Sequence, residues 1–359
     1  MKEDKSESEY FSAFKVTLVF VGALVGAGFA SGREAWQYYS VFGKSGFFGI
    51  ILSCILYMGI GTMTAYLARS KNSSDIAVVM NPTGKAAVNG IVKTVMCTFL
   101  FLAYVSLTAA GGALLEAQLG LRHEIGSIIY FMLCVLTCLG GFRSVSARLS
   151  AVTPILVAAA LVLGIYLVLR NPASLADMQP HEASKVASHW LPAAIGLVAY
   201  NGTAAVPVLS EGSVRTKDVK TAVKGAAIGG IILGLCSLIL YLGTSTDPEV
   251  SANASFPMME LCALVSPALG KLYALFLLLA IFIAEISCFF GATTGVGNIK
   301  HRTAVIWIMG IVGYLCSLYG FVNFVANVYS VAGYCSLVFF AMEVINLRLE
   351  FKSRKDKNV

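Results

Sequence analysis

The sequence predicts an all-α polytopic membrane protein, and three observations carry that reading. Of the 359 residues, 57% are hydrophobic and 13% charged, whereas a soluble domain holds about 45–50% apolar and roughly 25% charged residues. Residues 45–68, 94–115, 125–142, 149–169, 186–210 and 225–246 contain no Asp, Glu, Lys or Arg. Each run is close to the ~20 residues that carry a helix across hydrocarbon. The runs are also continuously apolar rather than alternating with period two, which excludes a transmembrane barrel. Nucleic-acid readers, Rossmann dehydrogenases and soluble hydrolases are excluded with solubility. The net charge of +7 is then a matter of topology, and no nucleic-acid partner is implied.

The elements follow in order along the chain. An apolar stretch runs from Tyr10 to about Phe42, behind a polar head with Glu3, Glu7 and Glu9; it is too long, and wrongly flanked, for a cleaved signal. Further spans are expected over 45–69, 86–118, 125–142, 148–170, 186–210, 219–243 and 269–299. The charge-free stretch 303–342 is too long for one span, and a hinge at Leu318–Val322 divides it into 303–319 and 322–347. That makes ten transmembrane helices in one domain, 1–359. Residues 247–268, with Pro248, Pro257 and Pro267, read as an outer loop, either a short helix over the path or a plain connector. With the N-terminus inside, twenty of the 26 basic residues fall on inner segments, among them Arg69, Lys71, Arg215, Lys217, Arg348 and Lys352. The positive-inside rule therefore places both termini in the cytoplasm, in a multi-pass protein of the plasma membrane.

Helix breakers within spans point to a site, because irregular backbone survives in lipid only where it lines a protein cavity. The first span carries Gly22, Gly26, Gly28 and Gly32, followed by Arg33-Glu34. Glycines at this spacing also serve small-xxx-small packing, but packing does not account for the charges that enter the same span. The sixth span has Tyr200-Asn201-Gly202 and then Pro207, and Asn-Gly is a turn dipeptide. Breaks in spans one and six fit two five-helix repeats of inverted topology, approximately 11–170 and 186–347. Half-helix N-termini there would face an anion, and C-terminal carbonyls a cation or ammonium group.

Gly22-Ala-Leu-Val-Gly-Ala-Gly28 resembles the unwound first helix of the LeuT-type sodium-coupled amino-acid transporters. Gly26-Ala-Gly-Phe-Ala-Ser-Gly-Arg-Glu34 is similar to the bacterial YkvI-type membrane proteins, read as amino-acid permeases of the amino acid–polyamine–cation superfamily. The resemblance implies a LeuT-type 5+5 inverted repeat with helices 1 and 6 broken. It implies a secondary active transporter of a small zwitterion, an amino acid above all, coupled to Na+ or H+ by alternating access. The alternative within the same fold is a membrane receptor or channel subunit of the germinant-receptor kind. By the same resemblance, the substrate would meet Gly26, Ala27, Gly28, Tyr104, Ala199, Tyr200 and Asn201. Its carboxylate would lie on the Gly26–Gly28 amides and its amine near Ala199–Asn201. Sodium, the one coupling metal the resemblance implies, would take hydroxyls from Thr293 and Thr294 and carbonyls from Gly22, Val25 and Phe290, oxygen ligands that suit a hard cation. The two threonines could equally bond back to their own helix.

Ionisable residues within spans are functional hypotheses by default. Glu285, flanked by Ile281–Ala284 and Ile286–Phe289, is the deepest, and is either a proton carrier or a hydrogen-bonded structural carboxyl. Glu34 is either a gate or proton-coupling carboxylate or is simply paired with Arg33, a residue the resemblance puts at the outer gate. Glu116, Glu211 and Glu343 lie near span ends and read as solvated. Ser106, Thr108, Asn323 and Asn327 are pocket polars or packing polars. The nine cysteines show no CxxC and read as buried free thiols. His123, His181, His189 and His301 fall in loops or near span ends, and no HExxH, GxSxG or nucleotide-binding loop is present. Neither an enzyme nor a direct ATP-driven pump is implied, nor any cofactor beyond the coupling ion. Oligomeric state is left open.

Overall fold

Helix α1 (Ala13–Leu24) opens the bundle, its Ser12 cap accepting from the Lys15 amide, and the chain then advances in two short pieces, α2 (Ala27–Ala30) and α3 (Arg33–Tyr38). The computed structural model describes residues 10–170, 178–182, 188–294, 302–319 and 336–353. A 3-10 turn over Ser40–Ser45 leads into α4 (Gly46–Ser70), and α5 (Ile76–Met80) precedes the long α6 (Ala86–Leu119). Next come α7 (His123–Leu139), α8 (Gly141–Arg170), α9 (Trp190–Val214) and α10 (Val219–Thr244). Two short helices, α11 (Pro248–Asn253) and α12 (Pro257–Val265), occupy the expected outer loop before α13 (Pro267–Thr294) and α14 (Arg302–Ser317). Residues 336–353 are helical.

Six helical stretches among the described residues are long and apolar enough to cross a membrane: Ser40–Ser70, Ala86–Leu119, Gly141–Arg170, Trp190–Val214, Val219–Thr244 and Pro267–Thr294. The described parts of the other four expected spans are shorter: α1, α7 and α14, and the helix over 336–353. Ile55, Val162, Leu275 and Ile308 point outward, as lipid-facing side chains do when the solvent is as apolar as they are.

Inside, small residues set the spacing. A Cβ at Gly230 of α10 would lie 2.6 Å from the Met58 amide nitrogen of α4, so these two helices approach backbone to backbone. Tyr57, Tyr104, Phe20 and Phe289 fill the core with no exposure of consequence. One end of the bundle gathers the start of α1 and the ends of α4 and α9. There Phe11 N–H donates to Arg215 O at 3.0 Å, Arg69 donates to the Thr216 and Lys217 carbonyls, and Lys71 donates to Asn346 at 2.8 Å. The opposite end holds α3, α11 and the 3-10 turn.

The sixth span corrects the expectation of a second break. α9 is helical from Trp190 to Val214, through Asn201-Gly202 and Pro207. Asn201 spends its amide on a partner in another span instead of a local turn. Pro207 removes one backbone bond, which a helix packed among neighbours tolerates. Asn323 and Asn327 lie outside the described residues.

Candidate functional site

The first span stops being one helix at Val25. Val25 N–H reaches Val21 O at 2.9 Å, but Gly26 N–H turns to Leu24 O at 2.8 Å, and Gly26 is extended with ψ −167°. Gly22 O thus loses the donor four residues on that a continuous helix would supply. Past the interruption, other elements supply the partners. Tyr273 of α13 donates its hydroxyl to Ala30 O at 2.6 Å, and the Met258 amide at the head of α12 donates to Ser31 O at 2.9 Å. Gly32, at φ +79°, makes the left-handed step that starts α3, a conformation open to glycine at little cost.

That step turns Glu34 back over the interruption. A Cβ on Gly28 would collide with the Glu34 carboxylate, so glycine is required there for close approach. Glu34 Oε2 accepts from Asn201 Nδ2 at 3.0 Å, and the same amide nitrogen lies 3.5 Å from the Tyr57 hydroxyl. Nearby, Tyr39 donates to Ser53 at 2.8 Å. Glu34 is half-buried, and its Oε1 has no hydrogen-bond partner among the described residues. Three spans therefore meet at one carboxylate.

The expected Arg33–Glu34 pair is not formed. Arg33 instead donates to the carbonyls of Ser251, Ala252 and Ala254 at 3.2, 2.9 and 3.2 Å. These are the free carbonyls at the end of α11, where a cation is favoured. Arg33 ties α11 to span one, which leaves Glu34 without a counter-charge among the described residues.

Other expected site residues divide. Gly26 touches Ala284 of α13, its would-be Cβ 3.0 Å away. Ala27 and Ala199 are buried, and the Tyr200 ring meets Phe99 edge-on at 5.5 Å. Tyr104 departs from the place the resemblance gave it: its hydroxyl donates to Gly310 O of α14 at 3.2 Å and its ring lies against Phe289 and Gly313. The ring goes that way because Gly313, without a Cβ, leaves room for it on α14.

The two threonines of the expected sodium set spend their hydroxyl hydrogens within their own helix. Thr293 and Thr294 donate back to Phe290 O at 2.9 Å and Gly291 O at 3.1 Å, and Thr294 is exposed. Gly22 packs against Thr153 and Leu149 of α8, and Val25 lines a small apolar cavity with Leu156 of α8 and Tyr273 of α13.

Glu285 is fully buried, with Oε1 2.6 Å from the Thr108 hydroxyl and Oε2 unpartnered among the described residues. Glu343, expected to be solvated, is buried as well and accepts from Thr64 of α4 at 2.5 Å. It lies on the helix over 336–353, whose inner face packs on α4 and α5, so the span end is covered by protein rather than water. Sequence reasoning missed Tyr57 and Tyr273; the only signal was a phenol inside an otherwise apolar run.

No protein-family model matches the chain. It is 29% identical over 336 residues to the uncharacterized membrane protein YkvI of Bacillus subtilis (strain 168), covering 91% of this chain and 94% of that protein. Similarity to YkvI spans nearly the whole chain. A second Bacillus subtilis (strain 168) protein, the uncharacterized YyaD, is 23% identical over 337 residues, with the same coverage of 91% and 94%. Among solved structures, MhsT in complex with L-phenylalanine superposes with a TM-score of 0.68 at 14% identity, covering 94% of this chain and 88% of that one. Mhp1, a nucleobase-cation-symport-1 family transporter, gives 0.63 at 13% identity, with coverage of 87% and 73%. A mutant of the Eremococcus coleocola manganese transporter gives 0.59 at 15%, covering 96% and 78%. The fold is therefore that of the LeuT-type transporters. The chain is a multi-pass membrane protein that is similar to YkvI over nearly its whole length.

Proposed function

We propose that this protein is a secondary active transporter of a small solute bearing an ammonium group, an amino acid being the simplest such solute. It works by alternating access between two repeats of five helices, with the basic end around Arg69, Lys71 and Arg215 facing the cytoplasm. The observation that carries the reading is Glu34: an uncompensated carboxylate with one free oxygen, set on an interrupted helix and steadied by Asn201 from another span. A carboxylate inside a membrane is costly, and a ligand cation recovers that cost at each binding event.

This reverses the polarity expected from the glycine run. With Glu34 against Gly28, a substrate carboxylate at that spot would meet like charge, so the amine end belongs there. The test is uptake by proteoliposomes under imposed Na+ and H+ gradients, scanning amino acids and simple amines. Wild-type protein should accumulate a solute with an ammonium group, and Glu34→Gln should raise its KM at least tenfold. Uptake confined to solutes without a cationic group would overturn the assignment.

A further inference from the structure

Thr108 of α6 has one hydroxyl hydrogen and two acceptors within reach. Its Oγ1 is 3.0 Å from Tyr104 O, four residues back on its own helix, and 2.6 Å from Glu285 Oε1 on α13. A hydroxyl donates once and accepts twice. If Glu285 were ionised, the two oxygens would compete for that one hydrogen. Tyr104 O lies within α6 and has the Thr108 amide of its own helix, so the group left short is the carboxylate: one hydroxyl is its only donor among the described residues, Oε2 is without a partner, and the site has no water-accessible surface. If Glu285 carries a proton, it donates to Thr108 Oγ1, and Thr108 donates onward to Tyr104 O. The chain then closes with every hydrogen used.

The surroundings point the same way. Facing Glu285 are Tyr104 from α6, Tyr130 and Cys134 from α7, and Cys288 from its own helix. The Tyr130 hydroxyl is committed to Leu278 O at 2.7 Å, and the Cys138 thiol to Ile286 O at 3.7 Å. Among the described residues, no lysine, arginine, histidine or second carboxylate acts on Glu285 from α1, α8, α9, α12 or α14. Nothing there offsets a negative charge, and an isolated carboxylate in an apolar interior neutralises instead of staying ionised. The neighbouring residue Ala284 touches Gly26 at the span-one interruption, so a change at Glu285 is one residue from the proposed substrate site.

We infer that Glu285 is a proton-binding site, with Thr108 as its hydrogen-bonded relay, and that its proton is the coupling ion of the transport cycle. The coupling role rests on the transporter reading above; protonation of the site does not. In the described state the proton is held between Glu285 and Thr108. It leaves when the helices move and water or a cation reaches Oε2.

Two measurements test this separately. Infrared difference spectra of the full-length protein in lipid, taken across a pH titration, should show a protonated-carboxyl C=O band at neutral pH. That band should be lost in Glu285→Gln and shifted in Thr108→Val, which removes the hydroxyl partner. Its absence from wild type at neutral pH overturns the site whether or not any solute is found to move. In proteoliposomes, Glu285→Gln should keep solute exchange at zero gradient while losing accumulation driven by a pH gradient. Accumulation at the wild-type level in that variant, or wild-type accumulation that follows Na+ and ignores pH, overturns the coupling role.

Discussion

Glu34 and Glu285 are both carboxylates inside the bundle, but their settings differ in ways that assign them different work. Glu34 projects from a restart of the chain, lies against bare backbone, keeps one oxygen free and is half-open. Glu285 sits in an unbroken helix, enclosed by phenols and thiols, with a hydroxyl as its one hydrogen-bond partner among the described residues. A site that must admit a solute needs irregular backbone and space. A site for a proton needs neither, only a partner that can exchange roles as donor and acceptor. On the assignments proposed above, the backbone around Glu34 and Glu285 is what separates a ligand site from a proton site.

The largest effect that would break this contrast is expected at Gly28. Gly28→Val drives a branched side chain into the space the Glu34 carboxylate occupies. Overpacking of that kind costs about 1–3 kcal/mol, and here it also displaces the functional group. Solute binding, followed by thermal shift, should vanish while the protein still elutes as a folded species in detergent. Normal affinity in the folded variant would reduce Gly28 to a packing residue and remove the ligand site from span one.

What the sequence made legible depended on the range of the interaction. Placement of charges along the chain is a one-dimensional signal, so the six long apolar helices were readable from composition. The span-one interruption was readable as well, because four glycines and a charged pair in one span satisfy no ordinary packing rule. Asn201-Gly202 misled for the opposite reason. A turn dipeptide reports local preference, and here a partner 167 residues away takes the asparagine amide and the helix continues. Thr293 and Thr294 show local preference winning, since short hydroxyls return to their own carbonyls unless something competes. The acids were placed by sequence and their partners were not: Arg33 beside Glu34 in the chain is directed to α11 in space, and Thr108 reaches Glu285 only through the packing of α6 on α13.

A smaller effect sharpens the division from the other side. Tyr104 was expected to touch substrate, yet its hydroxyl serves Gly310 O. Tyr104→Phe should cost about 1 kcal/mol of stability, the worth of one buried hydrogen bond. It should leave KM within twofold of wild type. A KM raised tenfold with stability unchanged would return Tyr104 to the substrate site and weaken the assignment of that region to the proton.

The smallest effect comes from a carboxylate that meets water. Asp218 is exposed and caps α10, accepting from the Thr221 amide at 2.7 Å, and that bond holds its pKa below the ordinary aspartate value. A depressed folded-state pKa contributes stability above the unfolded value, and the contribution disappears as the pH falls through the folded value. Melting curves of wild type and Asp218→Ala should therefore differ by a small amount at neutral pH and converge in acid, below about pH 4. Glu285, if it is neutral throughout, has no such window: the gap between wild type and Glu285→Gln should stay flat across the same acid range. A gap for Glu285→Gln that closed in acid as the Asp218→Ala gap does would mean that Glu285 is ionised at neutral pH. Glu34 and Glu285 would then share one chemistry, and the distinction drawn from their backbones would be lost.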